Sequence, residues 1–138
     1  MTGELLLDTG ALIGLLDRRQ SVHAACSDFY SQWDGAIITS EAVITESTHL
    51  LSAARGGIAA CIDFILHANI AVFPSTEVSL KRCRQLIEKY SGVPMDFADA
   101  TLVVIAEELD TNLIFTVDHD FRIYRIHSRK PFRIVPEL

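Results

Sequence analysis

No stretch of this 138-residue sequence approaches the roughly 18 uninterrupted apolar residues that a bilayer-spanning helix needs, and no basic region with a cleavable apolar stretch behind it opens the chain. We therefore expect a soluble, unsecreted, cytoplasmic protein with no membrane partner. Tracts rich in Gly, Ser or Pro are also missing, so no linker or disordered tail is expected. The three cysteines, Cys26, Cys61 and Cys83, form neither a CxxC pair nor a zinc spacing, which fits a reducing compartment. Positive charge is short: a formal net charge of −6 argues against coating nucleic acid by bulk attraction. Any basic surface must be local, as at Arg122, Arg125, Arg129, Lys130 and Arg133 or at Arg18 and Arg19, and each group reads equally as a solvated charged face. The histidines His23, His49, His67, His119 and His127 lack HxxxH or HxH spacing, and no Ser-His-Asp arrangement or glycine-rich phosphate loop is visible.

What the sequence does hold is apolar residues, 49% of the total, over a length suited to one core, so residues 1–138 read as a single domain. Residues 4–7 (ELLL) read as a strand ending at Asp8, followed by helix-forming residues 11–16. Residues 36–39 (AIIT) read as a second strand, with Ser40 capping a helix over 41–54 that Arg55-Gly56-Gly57 stops. A helix over 58–67, a strand over 70–73, and a helix opened by Ser75-Thr76-Glu77 and ended by Ser91-Gly92-Val93-Pro94 come next. A largely buried helix over 96–110, a strand over 113–117 and an edge strand over 132–135, flanked by Pro131 and Pro136, complete the order. Short apolar strands alternating with helices predict a three-layer α/β/α sandwich around a mainly parallel sheet of four to five strands.

In such sheets ligands bind beyond the carboxyl ends of the strands. Asp8 ends the first strand and Asp118 follows the fourth, so both would expose carboxylates at one rim. Glu46, in the helix after the second strand, and Asp96 and Asp99, sharing a helix face by their spacing of three, could reach the same rim. Two unit charges 4 Å apart repel by about 4 kcal/mol at an effective dielectric near 20, so such a gathering calls for an offsetting cation. A hard divalent ion, Mg²⁺ or Mn²⁺, takes carboxylate oxygens and suits phosphodiester chemistry. Bland roles compete at each position. Asp8, Asp118 and Asp120 could shape turns, Asp96 could cap the helix with Asp99 at its third position, and Glu46 could lie on an exposed face.

The segments LLLDTGALIGLLDRRQSVH, ITSEAVITESTHLL, VPMDFADATLVVIAEELD and LIFTVDHDF together resemble the PIN domain, in particular the VapC-type toxins of bacterial and archaeal toxin–antitoxin pairs, from residue 4 to about residue 135. The resemblance implies acidic site residues at Asp8, Glu46, Asp99 and Asp118. Asp96, in the Met-Asp-x-Ala-Asp-Ala wording, is implied as a further metal ligand or a support to one. Thr9, Thr116, His119 and Asp120 border these acids as candidates for substrate contact or support, and Asp120 could replace Asp118. The resemblance further implies a Mg²⁺-dependent RNA endonuclease, an antitoxin occupying the active-site groove, and a homodimer.

Two other functions compete. The same acids could bind metal without turnover in an RNA-binding or assembly module. Asp8-Thr9-Gly10-Ala11 also resembles the active-site loop of retroviral-type aspartic proteases, although that fold is nearly all strand and helices are expected here.

Overall fold

The computed structural model describes residues 3–138; Met1 and Thr2, included in the expected domain, lie outside the described residues. Strand β1 (Glu4–Leu7) leads into α1 (Thr9–Leu16) and α2 (His23–Gln32), and β2 (Ala36–Ser40) into α3 (Glu41–Leu51) and α4 (Gly57–His67). Strand β3 (Ala71–Phe73) leads into α5 (Glu77–Lys89) and α6 (Phe97–Leu109). After β4 (Leu113–Phe115), a 3₁₀ turn (His119–Arg122) and a small antiparallel hairpin, β5 (Arg125–Ile126) with β6 (Lys130–Pro131), precede β7 (Arg133–Val135). The main sheet has five strands in the order β3-β2-β1-β4-β7, every pairing parallel. This is the expected α/β/α sandwich.

Parallel neighbours force each connection across a sheet face, so successive strand residues enter different cores. Leu5, Leu7, Ile37 and Phe115 pack with α1, α2 and α4, whereas Leu6, Ile38 and Ile114 pack with α5, α6 and the aromatic residues Phe121, Tyr124 and Phe132. Helix α6 is buried continuously from Ala98 to Ala106, as expected for a helix apolar on most sides. Helix α3 contributes Val43 to one core and Leu51 to the other, which brings it to the seam between layers.

The helix starts follow capping chemistry. Ser40 accepts from the Val43 N–H, and Thr76 and Ser79 exchange hydrogen bonds in a capping box. Several elements differ from expectation. Helix α2 was not foreseen, because its start has no side-chain cap and its composition is polar and small. Tertiary contact holds it: Cys26 is buried over Gly14, where an added Cβ would fall 2.9 Å from the Cys26 Sγ, and Phe29 meets Phe115 edge to face at 5.0 Å. Helix α3 ends at Leu51 rather than at residue 54, and Gly56, in the left-handed region at φ +70°, begins α4 instead of stopping α3. Strand β4 is two residues shorter than expected, and the β5–β6 hairpin is too brief to leave a periodic signal. The parallel sheet with its helical layers also excludes the aspartic-protease alternative, whose loop belongs to a nearly all-strand fold. Among the described residues, no helix is long and apolar enough to cross a membrane.

One close approach bears on the site. At Gly10 an added Cβ would lie 2.5 Å from the Val117 Cγ2, so the absent side chain lets the segment leaving β4 rest on the start of α1. Gly10→Ala is expected to destabilise the fold by about 1–3 kcal/mol through overpacking against a stiff β-branched residue. Urea unfolding of the two proteins checks this, and an unchanged midpoint would show that the segment shifts freely.

Candidate active site

From β1 the chain steps through β2 to β3, then crosses back to place β4 on the other side of β1. The reversal leaves a crevice at the carboxyl ends of β1 and β4, where ligands of such sheets bind. Asp8 follows β1 directly, Asp118 lies in the segment leaving β4, and Asp99 enters from the first turn of α6. Each offers a carboxylate oxygen, and the three oxygens lie within 4.8 Å of one another.

Each acid is held at the beginning of a helical segment. Asp8 is the N-cap of α1, its Oδ1 accepting from the Thr9 N–H at 2.8 Å and its Oδ2 from the Thr116 hydroxyl at 2.6 Å. The same hydroxyl accepts from the Asp118 N–H at 2.9 Å, so one threonine ties two of the acids. Asp118 caps the 3₁₀ turn, its Oδ1 accepting from the Asp120 N–H at 2.9 Å. Asp99 and Asp96 form a reciprocal capping box: Asp96 Oδ1 accepts from the Asp99 N–H at 2.8 Å, and Asp99 Oδ2 accepts from the Asp96 N–H at 3.3 Å. The Tyr124 hydroxyl also approaches Asp99 Oδ2, at 3.5 Å. Fully buried Tyr124 is fixed by edge contacts with Tyr90 at 5.1 Å and Phe121 at 5.0 Å.

Asp8 is only 4% exposed, which corrects the expectation of a solvent-facing rim carboxylate. Burial pushes its pKa up to about 6 against the Thr116 and Thr9 hydrogen bonds, and the charges of Asp118 and Glu46 add to the rise. Asp99 is pushed further, to about 8, first by burial and then by the charges of Asp8 and Asp96. Burial and the nearby Asp99 carboxylate likewise push the Tyr124 phenol up, keeping it a hydrogen-bond donor. Burial and the neighbouring acids thus disfavour ionisation of Asp8 and Asp99 when only protein groups surround them. A donor set of carboxylate oxygens alone, close enough to share one ion, fits a hard divalent cation.

The remaining predicted residues divide. Glu46 is half-buried and outside the three-oxygen cluster, although its charge acts on Asp8. Asp96 is exposed, precedes α6 rather than sharing its face, and serves as the cap. Asp118 joins the cluster, whereas Asp120 lies outside it and donates its backbone N–H to Asp118. His119 is exposed on the 3₁₀ turn, and the buried Thr9 hydroxyl has no hydrogen-bond partner among the described residues. In the basic groups, Arg125 folds back onto the carbonyls of Arg122, Ile123 and Tyr124, and Arg19 pairs with Asp17 at 3.0 Å, so both have local structural roles. Tyr124 was missed. Its spacing of three from Phe121 could have marked a shared inward face, but not its reach to Asp99.

Fold and site together define an α/β domain with a cluster of three carboxylates at its sheet's switch point. The chain belongs to the PIN domain family, whose profile matches residues 5–126. It is similar to Ribonuclease VapC26 of Mycobacterium tuberculosis, with 25% identity over 136 residues covering 96% of this chain and 100% of that protein. Among solved structures, M. tuberculosis VapC20, described as a toxin that cleaves the sarcin–ricin loop, matches with a TM-score of 0.78 at 18% identity, covering 92% of this chain and 99% of that one. VapBC2 of Rickettsia felis, solved with a promoter DNA fragment, matches with a TM-score of 0.65 at 11% identity, covering 97% of this chain and 100% of that one.

The raised pKa values carry a definite sign. The folded protein holds protons at Asp8 and Asp99 more tightly than the unfolded chain, so their contribution to stability is fully present below the ordinary value of 3.8. It is lost as pH rises through about 6 and then about 8. Thermal unfolding of chelator-treated protein should therefore show the midpoint falling across this range, with Asp99→Asn flattening the upper part. Added Mg²⁺ should raise the midpoint more at about pH 8 than at about pH 5, because ionised carboxylates bind it. An equal increment at both would contradict the carboxylate site.

Proposed function

We infer that this chain is a divalent-metal-dependent endoribonuclease that hydrolyses phosphodiester bonds, and the toxin of a VapBC-type pair. The observation that carries the inference is the convergence of Asp8, Asp99 and Asp118 on one cation-sized site. Membership of the PIN family and similarity to a protein named a ribonuclease support the reaction class and an RNA substrate. Likeness to VapBC proteins supports a second chain, an antitoxin covering the site. We take residues 1–138 as one nuclease domain working in the cytoplasm as a homodimer.

Asp8, Asp99 and Asp118 are the residues to hold Mg²⁺, or Mn²⁺ in its place, and Asp96 supports Asp99 through the capping box. When bound, such an ion would supply Lewis-acid stabilisation of phosphodiester charge. Around it, Thr116 keeps Asp8 and Asp118 in register through its two hydrogen bonds. Tyr124 orients the Asp99 carboxylate by donating to Oδ2. Glu46, near Asp8 yet outside the cluster, accepts the proton of the attacking water at its carboxylate.

Incubation of purified, antitoxin-free protein with total RNA tests this directly. Discrete fragments should form with Mg²⁺ or Mn²⁺, disappear with excess chelator, and fall on the order of 10²–10³-fold with Asp99→Asn while RNA binding persists. Fragments that survive both chelation and Asp99→Asn would exclude the mechanism. No cleavage by the folded, metal-loaded protein would favour the non-catalytic RNA-binding module.

A further inference from the structure

Two cavities lie near the acidic cluster, and they differ in charge: three carboxylates and no Lys or Arg border one, whereas an arginine stands among the two carboxylates of the other. On the Glu46 side, a cavity of about 690 Å³ is bordered by the carboxylates of Glu41, Glu46 and Asp96, with Phe97 and His49. On the Asp118 side, a cavity of about 320 Å³ is bordered by Asp118, His119 and Arg122 on one wall and by Ile134, Pro136 and Glu137 on the other. The second is large enough for a nucleotide-sized group, opens beside a member of the cluster, and has an apolar surface against which a base can lie.

A nucleic-acid strand presented to the cluster carries further phosphates on both sides of the one being cut. Three carboxylates repel a phosphate on the Glu46 side. On the Asp118 side, Arg122 is exposed and belongs to none of the ion pairs among the described residues, so although Asp118 and Glu137 line the same cavity its guanidinium is not held by either. Its neighbour Arg125 is committed to backbone carbonyls, which leaves Arg122 as the arginine of the turn free to meet a ligand.

We propose that the cavity between the 118–122 turn and the 134–137 segment is a nucleotide subsite for single-stranded RNA, in which Arg122 binds the phosphate next to the scissile one and the base packs on Ile134 and Pro136. The Glu137 carboxylate, a hydrogen-bond acceptor, favours base edges that carry amino groups. The proposal rests on the nuclease function for its substrate class, but binding tests it without turnover.

The experiment is a fluorescence-anisotropy titration of the full chain with a labelled, mixed-sequence 12-nucleotide RNA, in Ca²⁺ without Mg²⁺, over a series of salt concentrations. Arg122→Gln should weaken binding about tenfold and make the slope of log K against log salt shallower by about 0.7, the loss of one single-strand phosphate contact. The control Arg84→Gln removes an equal charge from exposed α5, where Arg84 pairs with Glu88, and should change neither quantity. Equal behaviour of Arg122→Gln and Arg84→Gln overturns the subsite, as does failure of the unaltered protein to bind the RNA. Loss of binding in Arg122→Gln, together with an unaltered protein that cannot cleave RNA, would uphold the subsite and remove the nuclease function. Cleavage by the unaltered protein with full binding by Arg122→Gln would do the reverse.

Discussion

Crowding negative charge into a poorly hydrated corner is the constraint around which this molecule is organised. Two carboxylates at 4 Å cost about 4 kcal/mol at an effective dielectric near 20, before the expense of burying them. The backbone answers with one device used three times: Asp8, Asp99 and Asp118 each stand at the start of a helical segment, where free N–H groups and the helix dipole favour a negative group. These local partners hold the geometry but do not offset burial, which together with the neighbouring acids raises the pKa values of Asp8 and Asp99. The same arrangement has the donor chemistry that suits a divalent cation.

Holding such a site requires surroundings that do not yield. The alternating strand residues feed two separate cores, so β1 and β4 are clamped from both faces at the point where their ends present Asp8 and the loop to Asp118. On one face the rings of Phe121, Tyr124, Phe132 and Tyr90 meet edge to face, and Tyr124 passes that rigidity to Asp99. A further tie comes from Glu107, which accepts from Arg82 at 2.8 Å and from the His127 N–H at 2.7 Å, joining α5, α6 and the turn of the β5–β6 hairpin. The hairpin therefore belongs to the support of the site even though it lies outside the main sheet.

The net negative charge of the chain is unevenly distributed around the cluster. Glu41, Glu46 and Asp96 stand without Lys or Arg on one side, whereas Arg122 accompanies Asp118 and Glu137 on the other. For the proposed RNA substrate, the Asp118 side would be the less repulsive of the two. Long-range attraction is weak for an acidic protein, so selectivity must come from contacts made close to the site.

Much of this was legible in the sequence. The strand-helix order, the buried character of α6, Ser40 as a cap, and the placement of Asp8 and Asp118 after strands all depend on residues a few positions apart, where propensity and capping act. The capping role of Asp96 was readable for the same reason. Tertiary structure decided what depends on distant parts of the chain. The Thr116–Asp8 hydrogen bond spans 108 positions, and only the pairing of β1 with β4 makes it possible. Likewise, docking of Cys26 and Phe29 secures the uncapped α2, and the turn after β4 brings Asp118 rather than Asp120 to the other acids. Sequence by itself determined which segments could form and which of their ends would carry acid; packing between segments remote in the chain determined which acids meet, because a carboxylate oxygen is placed within an ångström only when the elements on both sides of it are locked together.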